Sequence, residues 1–148
     1  MKMLLRSFLI LTLAACAAPE VTPRSDASYA KGLLGTWEAL ESPRSEKVES
    51  ESTYTKDGFV GGFLTATAKY PGGTTGTFRV RVRARWRVEN GILHVRDYET
   101  EPAGVLPPGY GQKYQILALD ADHILFRALD DGKELPRRRK LAGPDSSR

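Results

Sequence analysis

The stretch FRVRVRARWRV, residues 78–88, alternates apolar and arginine side chains without a break. Successive side chains of a β-strand point to opposite faces of the sheet, so one face here is apolar and the other carries guanidinium groups. Asn90-Gly91 follows almost at once, and this pair is a strong hairpin signal because both residues tolerate positive φ. The stretch therefore predicts a long amphipathic strand that turns back into a second strand at residues 92–100.

The two-residue turn also fixes the expected register of this hairpin. From the turn outward the predicted pairs are Val88 with Leu93, Arg87 with His94, Trp86 with Val95, Arg85 with Arg96, Ala84 with Asp97 and Arg83 with Tyr98. The fifth pair would place Asp97 on the apolar face. We therefore expect either that Asp97 lies at a rim or that the strand bulges there.

The residues on both sides of this hairpin repeat the same organisation. Runs rich in Val, Thr, Tyr, Phe and Trp alternate with turn signals such as Lys56-Asp57-Gly58 and Pro71-Gly72-Gly73, and no stretch shows convincing helical spacing. The expected strands are 35–41, 47–56, 58–69, 76–88, 92–100, 112–119 and 122–130. The pattern predicts an all-β fold, an antiparallel meander that forms a small barrel or sandwich of about seven to eight strands.

The first fifteen residues indicate a secretory signal. Lys2 and Arg6 form a positive n-region, and the apolar run at 7–15 is much shorter than the roughly 20 residues that span a bilayer. Leu13-Ala14-Ala15-Cys16 then resembles the lipobox of bacterial lipoproteins, and Cys16 is the single cysteine. The alternative is an ordinary signal peptide with an incidental cysteine.

The lipobox resemblance implies a location. Cleavage would make Cys16 the first residue, with a diacylglycerol on its thiol and often an acyl group on its amine; two or three chains anchor stably where one does not. Ala17 follows, not the aspartate that often retains such proteins in the inner membrane. The resemblance thus implies a bacterial envelope protein, lipid-anchored at the periplasmic face of the outer membrane.

The expected organisation has four parts. Residues 1–15 form the signal peptide, and residues 16–31 the lipidated cysteine with a flexible tether rich in Pro, Ala and Ser. Residues 32–136 form the β domain, and residues 137–148 a basic, disordered tail. In that tail Arg137-Arg138-Arg139-Lys140 could touch an anionic membrane or simply aid solubility.

Gly35-Thr36-Trp37 at the start of the first strand resembles the Gly-x-Trp opening of lipocalins. The later hairpins and the strands at 116–119 and 124–129 are similar to small lipocalin-like domains of bacterial secreted proteins. The resemblance implies that Trp37 closes one barrel end, that an arginine such as Arg127 stacks on it, and that the barrel binds a hydrophobic small ligand. The expected inward, ligand-lining set is Trp37, Tyr54, Phe78, Val80, Val82 and Trp86.

The arginine row predicts a second candidate surface. Same-face residues repeat about every 6.6–6.8 Å, so a row of five guanidiniums is about 27 Å long. It could contact anionic lipid or a protein partner, since a guanidinium fork fits two oxygens. The alternative is a plain solvent face neutralised by Glu49, Glu51 or Glu99. The proposed anion face comprises Arg79, Arg81, Arg83, Arg85, Arg87 and Arg96.

Composition argues against several other functions. The net charge is +4, and without Lys2 and Arg6 about +2 remains, which is too small to indicate nucleic-acid binding. His94 and His123 without cysteine partners make a poor metal set, and no nucleophile elbow or phosphate-binding glycine loop is present. We therefore expect no cofactor, no metal, no catalytic residues and a non-enzymatic role.

Overall fold

The structure is a computed structural model and describes residues 24–40, 49–69 and 72–141. One short helix precedes eight strands. These are α1 (Asp26–Leu33), β1 (Gly35–Ala39), β2 (Glu49–Tyr54), β3 (Phe59–Lys69), β4 (Thr75–Glu89), β5 (Ile92–Glu101), β6 (Gln112–Leu119), β7 (His123–Ala128) and β8 (Glu134–Arg139). The predicted signal peptide, Cys16 and the end of the predicted tail lie outside the described residues.

The eight strands form a closed barrel in sequence order, and β1 pairs with β8 to complete it. Every pairing is antiparallel, so the predicted all-β meander is confirmed, and it takes the barrel form. Because β1 pairs with β8, the described ring has no free edge strand, although β5 pairs with β6 only over the four positions from Ile92 to Val95.

The β4–β5 hairpin follows the predicted register from Val88 opposite Leu93 to Arg85 opposite Arg96. There the register shifts, because Asp97 has a φ of 56° and forms a bulge. The predicted pair of Arg83 with Tyr98 is wrong, since Arg83 lies opposite Glu99. The bulge returns the aspartate to the surface and turns Tyr98 into the barrel.

Helix α1 occupies the second half of the segment that was predicted to be a flexible tether. Ser25 caps it by accepting a hydrogen bond from the Ser28 N–H at 3.2 Å. Asp26 in the first turn accepts hydrogen bonds from the N–H groups of Asn90 (2.8 Å) and Gly91 (2.9 Å), which fastens the helix to the β4–β5 turn. A helix this short is stabilised mainly by such tertiary contacts. Its sequence therefore needs no regular spacing of apolar residues, and the sequence did not predict it.

Strand β8 corrects the predicted boundary at residue 136. Arg137, Arg138 and Arg139 belong to this strand and pair with β1, so these residues are not a disordered tail. Their side chains alternate: Arg138 contacts Glu38 on the outer surface, while Arg137 and Arg139 lie on the inner side. The side chains of β8 alternate between the two faces of the sheet, but this alternation is hard to see in the sequence because consecutive residues are all basic.

One end of the barrel is closed by Trp37, which is 0% exposed and donates from Nε1 to the Leu33 carbonyl at 2.7 Å. The Arg139 guanidinium lies over its ring at 4.0 Å and donates to the carbonyls of Leu34 (2.8 Å) and Gly32 (3.0 Å). The expectation that Trp37 closes one end is thus met. The expectation for Arg127 is wrong, because Arg127 is on the surface with Glu134 at 2.8 Å.

In the described ranges, no helix is both long enough and apolar enough to cross a membrane.

Candidate ligand cavity

A cavity of about 140 Å³ lies inside the barrel beyond the closed end. Strands β2 to β8 all contribute to its wall, since the inward side of each strand faces the same space. The inward-facing residues that line it are Ser50, Ser52, Tyr54, Val60, Leu64, Val82, Val95, Tyr98, Gln112, Tyr114, Phe126, Leu135 and Arg137. Leu64, which is 37% exposed, marks the side that opens to solvent.

The floor and one side of this cavity are apolar. Tyr54 packs edge-on against Trp86, with ring centroids 5.4 Å apart, and Tyr114 packs against Phe126 at 5.7 Å. Val60, buried on β3, adds an aliphatic surface. These contacts fix the aromatic rings in place, so the apolar part of the cavity is already formed without a ligand.

Arg137 places a cation in the cavity wall. It is half-buried, and its Nη1 donates to the Ser50 hydroxyl at 2.8 Å. No carboxylate of the described residues lies within ion-pair distance of it; the nearby Glu51 carboxylate pairs with Lys140 on the outside. This guanidinium is already partly removed from water, and its hydrogen-bond partner is neutral. An anion can therefore bind to it with little further desolvation of the arginine.

Three polar side chains of β5 and β6 meet in the cavity wall. Tyr98 and Tyr114 both donate to the Gln112 side-chain oxygen, from Tyr98 at 3.2 Å. Burial raises the pKa of both phenols far above the usual value, and for Tyr98 the other tyrosines nearby add to this effect. Burial likewise raises the pKa of Tyr54. These hydroxyls are therefore neutral at physiological pH, and each keeps the proton that it donates in a hydrogen bond.

The six residues expected to line a ligand site are brought to the inner side of the barrel but not to one place. Tyr54 and Val82 line the cavity. Trp37 belongs to the closed end, Val80 is buried in the wall at 2% exposed, and Trp86 supports Tyr54 from behind. Phe78 is 43% exposed, because β4 begins at Thr75 and this residue lies close to its free end.

The most polar residues of the cavity were missed by sequence reasoning. Tyr98 faces the interior only because of the bulge at Asp97, which shifts the register of β5. Arg137 was expected in a disordered tail, whereas it lies in β8. For Gln112 and Tyr114 a signal existed, since they share one face of β6 with the buried Ile116. For Arg137 the alternation with Leu135 and Arg139 was the available signal.

The predicted arginine face lies on the outside of the barrel, as expected from the alternation of side chains along β4. Some of its charges are neutralised by carboxylates. Arg81 pairs with Glu101 at 3.1 Å and Arg87 with Glu89 at 2.9 Å, while Arg96 lies 3.6 Å from Asp97. Of the acids suggested as partners from sequence, Glu51 pairs with Lys140 instead, and Glu99 lies opposite Arg83 in register without forming an ion pair with it.

The remaining three arginines stack on phenylalanine rings of β3. Arg79 lies over Phe63 at 3.6 Å, and Arg83 and Arg85 lie over Phe59 at 4.1 and 4.7 Å. A groove of about 730 Å³ on the outer surface is lined by the two phenylalanines together with Arg79 and Arg83. In residues 24–40, 49–69 and 72–141 no group of three or more His, Cys, Asp or Glu side chains could hold a metal ion.

Comparisons with known proteins give a likeness in fold only. No family model and no curated protein sequence matches this chain. Among solved structures that match is a lipocalin-like protein from Bacteroides uniformis ATCC 8492, with a TM-score of 0.43 and 13% sequence identity over 74% of this chain and 99% of that chain. At this level of similarity, residue roles are argued from the present geometry alone.

Proposed function

We propose that this protein is a non-catalytic binding module whose barrel cavity takes a small amphipathic anion. The single observation that carries the proposal is Arg137, a half-buried guanidinium with Ser50 as its hydrogen-bond partner, in the wall of a cavity that also has an apolar side. An anionic group would pair with Arg137, and the apolar remainder would contact the aromatic and aliphatic wall.

The volume of the cavity limits the ligand. A cavity of about 150 Å³ lined by apolar side chains is known to hold one benzene ring. The cavity here has about 140 Å³. We therefore expect ligands with one ring or a short alkyl chain, and not a long-chain lipid held inside.

The test uses matched pairs of anionic and neutral ligands. Benzoate and hexanoate are compared with benzamide and hexanol by calorimetric titration and by the shift in Tm. A ligand at a hundredfold its Kd adds about 2.7 kcal/mol of stability, which is easily seen. We expect the anions to bind and the neutral pairs to bind at least about tenfold more weakly.

The Arg137→Gln variant should lose this preference, whereas Arg138→Gln, on the neighbouring outward position, should keep it. The fold of the first variant is checked by its unliganded Tm and circular dichroism. Equal binding of both ligand types to the wild-type protein, or unchanged anion binding by a folded Arg137→Gln protein, would contradict the proposal.

We propose in addition that the mature protein is lipid-anchored through Cys16 at the bacterial outer membrane, on its periplasmic face. Support comes from Leu13-Ala14-Ala15-Cys16 and the short apolar run before it. Mass spectrometry of the mature N-terminus should show a diacylglyceryl Cys16, and Cys16→Ala should abolish incorporation of labelled palmitate. An unmodified, uncleaved or differently cleaved N-terminus would exclude the anchor.

A further inference from the structure

A glycine between two phenylalanines creates a depression on the outer face of the barrel. Phe59, Gly61 and Phe63 follow each other on the outward side of β3. A Cβ atom at Gly61 would meet only the Val82 carbonyl oxygen, 3.9 Å away. The space above Gly61 is therefore open, and the two phenyl rings form its walls along the strand.

Arginines frame this depression on the β4 side. Arg83 lies directly opposite Gly61 in register and stacks on Phe59, while Arg79 stacks on Phe63. A guanidinium held over a ring face still has N–H groups that are not used by the ring and can donate to a partner. Stacking also restricts the side chain before any partner arrives, which lowers the entropic cost of binding.

The charge of the groove is positive. Three arginines line it, Arg79, Arg81 and Arg83, against the single carboxylate of Glu101, which pairs with Arg81. Among the side chains of residues 24–40, 50–65 and 76–141, no carboxylate lies within ion-pair distance of Arg79 or Arg83. Glu99 lies opposite Arg83 in register without forming such a pair.

We propose that this groove binds an acidic segment of a protein partner, with an apolar side chain of that segment seated above Gly61 and carboxylates on both sides of it paired to Arg79 and Arg83. Charge complementarity selects the acids, and the depression selects the apolar residue between them. A planar membrane surface fits less well, because a layer of headgroups would leave the space between the two phenyl rings unfilled. β-Strand addition does not apply, since β3 is paired on both sides.

The test uses three short peptides: Glu-Glu-Leu-Glu-Glu, Gln-Gln-Leu-Gln-Gln and Glu-Glu-Gly-Glu-Glu, each acetylated and amidated. Amide shifts of the isotope-labelled full chain are followed during titration, a method that detects weak binding. We expect shifts centred on residues 59–63 and 79–83 with the first peptide. Both other peptides should bind at least about tenfold more weakly, one for lack of charge and one for lack of the apolar side chain.

Gly61→Val is the decisive variant, since it fills the depression without removing a charge. Valine suits a strand and has room here, so the variant should fold, which Tm confirms. Gly61→Val and Arg83→Gln should each weaken binding by about tenfold. Arg87→Gln, on the same face but outside the groove, should leave it unchanged.

Three results would overturn the proposal. The first is absence of any localised shift with the first peptide at millimolar concentration. The second is peptide binding that a folded Gly61→Val variant retains in full. The third is binding to phosphatidylglycerol vesicles that depends on Arg79 and Arg83 while the peptide does not bind, which would assign the groove to a lipid surface.

Discussion

Arg139 joins three parts of the chain at the closed end of the barrel. Its ring contact to Trp37 and its hydrogen bonds to the carbonyls of Leu34 and Gly32 tie β8 to β1 and to the end of α1. A third donor, Nε, reaches the Ala121 carbonyl in the β6–β7 turn. Hydrogen bonds from charged groups contribute more than neutral ones, so one side chain holds much of this closure.

We expect Arg139→Lys to lower the free energy of unfolding by about 2–4 kcal/mol, because the three donors of an ammonium radiate from one nitrogen and cannot reach the three carbonyls that separate guanidinium nitrogens contact. The measurement is equilibrium unfolding in urea. Arg138→Lys is the control: its pair with Glu38 is solvent-exposed, so the loss should stay below about 1 kcal/mol. Equal losses in the two variants would contradict the role assigned to Arg139.

Gly61 and Gly62 are adjacent in β3 but have opposite surroundings. A Cβ atom at Gly62 would lie 1.8 Å from the Glu51 carbonyl oxygen, which belongs to the backbone of β2 and cannot move aside by rotating a side chain. The absence of a side chain is therefore required for β2 and β3 to approach. At Gly61 the same atom would stand in open space.

We expect Gly62→Ala to cost about 1–3 kcal/mol of stability, because the strands must separate to admit the methyl group. Gly61→Ala is the matched control and should be neutral or stabilising by about 0.5 kcal/mol, since alanine loses less entropy than glycine on folding. Thermal unfolding of both variants measures the contrast. A tolerated methyl at Gly62 would show that the close approach of β2 is not needed.

At the scale of elements, helix α1 is held to the barrel through Asp26. Its carboxylate oxygens accept from the N–H groups of Asn90 and Gly91, which are the two turn residues of the β4–β5 hairpin. Both residues have positive φ, a conformation that directs their N–H groups toward the helix side of the turn. The hairpin signal read from sequence thus also provides the docking point of α1.

We expect Asp26→Ala to lower stability by about 1–3 kcal/mol, because it leaves two backbone donors without their acceptor. Amide hydrogen exchange at Asn90 and Gly91 should become faster, which distinguishes a lost contact from general destabilisation. Ser28→Ala, at an exposed position of the same helix, keeps the backbone N–H that Ser25 caps and should change neither quantity by a measurable amount. Unaltered exchange at Asn90 and Gly91 in the Asp26→Ala protein would show that Asp26 is not the fastening group.

The sequence predicted elements well where the pattern was local. The β4–β5 hairpin, its turn and its first pairs followed from alternation and Asn90-Gly91. Asp97 on an apolar face indicated either a rim position or a bulge, and the structure has the bulge. Helix α1 and strand β8 could not be predicted in the same way. The helix is stabilised by a turn more than sixty residues away, and the alternation of the strand is obscured because its inward and outward positions alike carry arginine.

At the scale of the whole molecule, the polar part of the cavity depends on closure of the barrel. Ser50 and Arg137 are 87 positions apart in the chain, and no local pattern connects them. Tyr98 enters the interior because the bulge at Asp97 reverses its side of the strand. The apolar lining could therefore be predicted in part from alternation, whereas the charge inside required the ring of strands and its register.

Alkaline pH should test how firmly the tyrosine cluster is enclosed. Burial raises the pKa of Tyr98 and Tyr114 above the ordinary value of about 10, so these phenols are neutral in the folded protein at a pH where the unfolded chain ionises them. The free energy of unfolding is unaffected by the titration of these groups below about pH 10. It falls as the pH rises further, because only the unfolded chain then loses the phenol protons. Each such tyrosine contributes a slope of up to about 1.4 kcal/mol per pH unit.

We expect urea unfolding of the wild-type protein between about pH 9 and pH 12 to show this loss, and Tyr98→Phe and Tyr114→Phe each to reduce its slope. Phenylalanine keeps the ring contacts and removes only the ionising hydroxyl, so each variant isolates one titration. Absorbance of phenolate gives a second readout, because ionisation of the enclosed tyrosines should coincide with unfolding. If both variants lose stability with pH as steeply as the wild-type protein, then the cavity admits water to these hydroxyls, and Arg137 faces a wetter space than the geometry indicates.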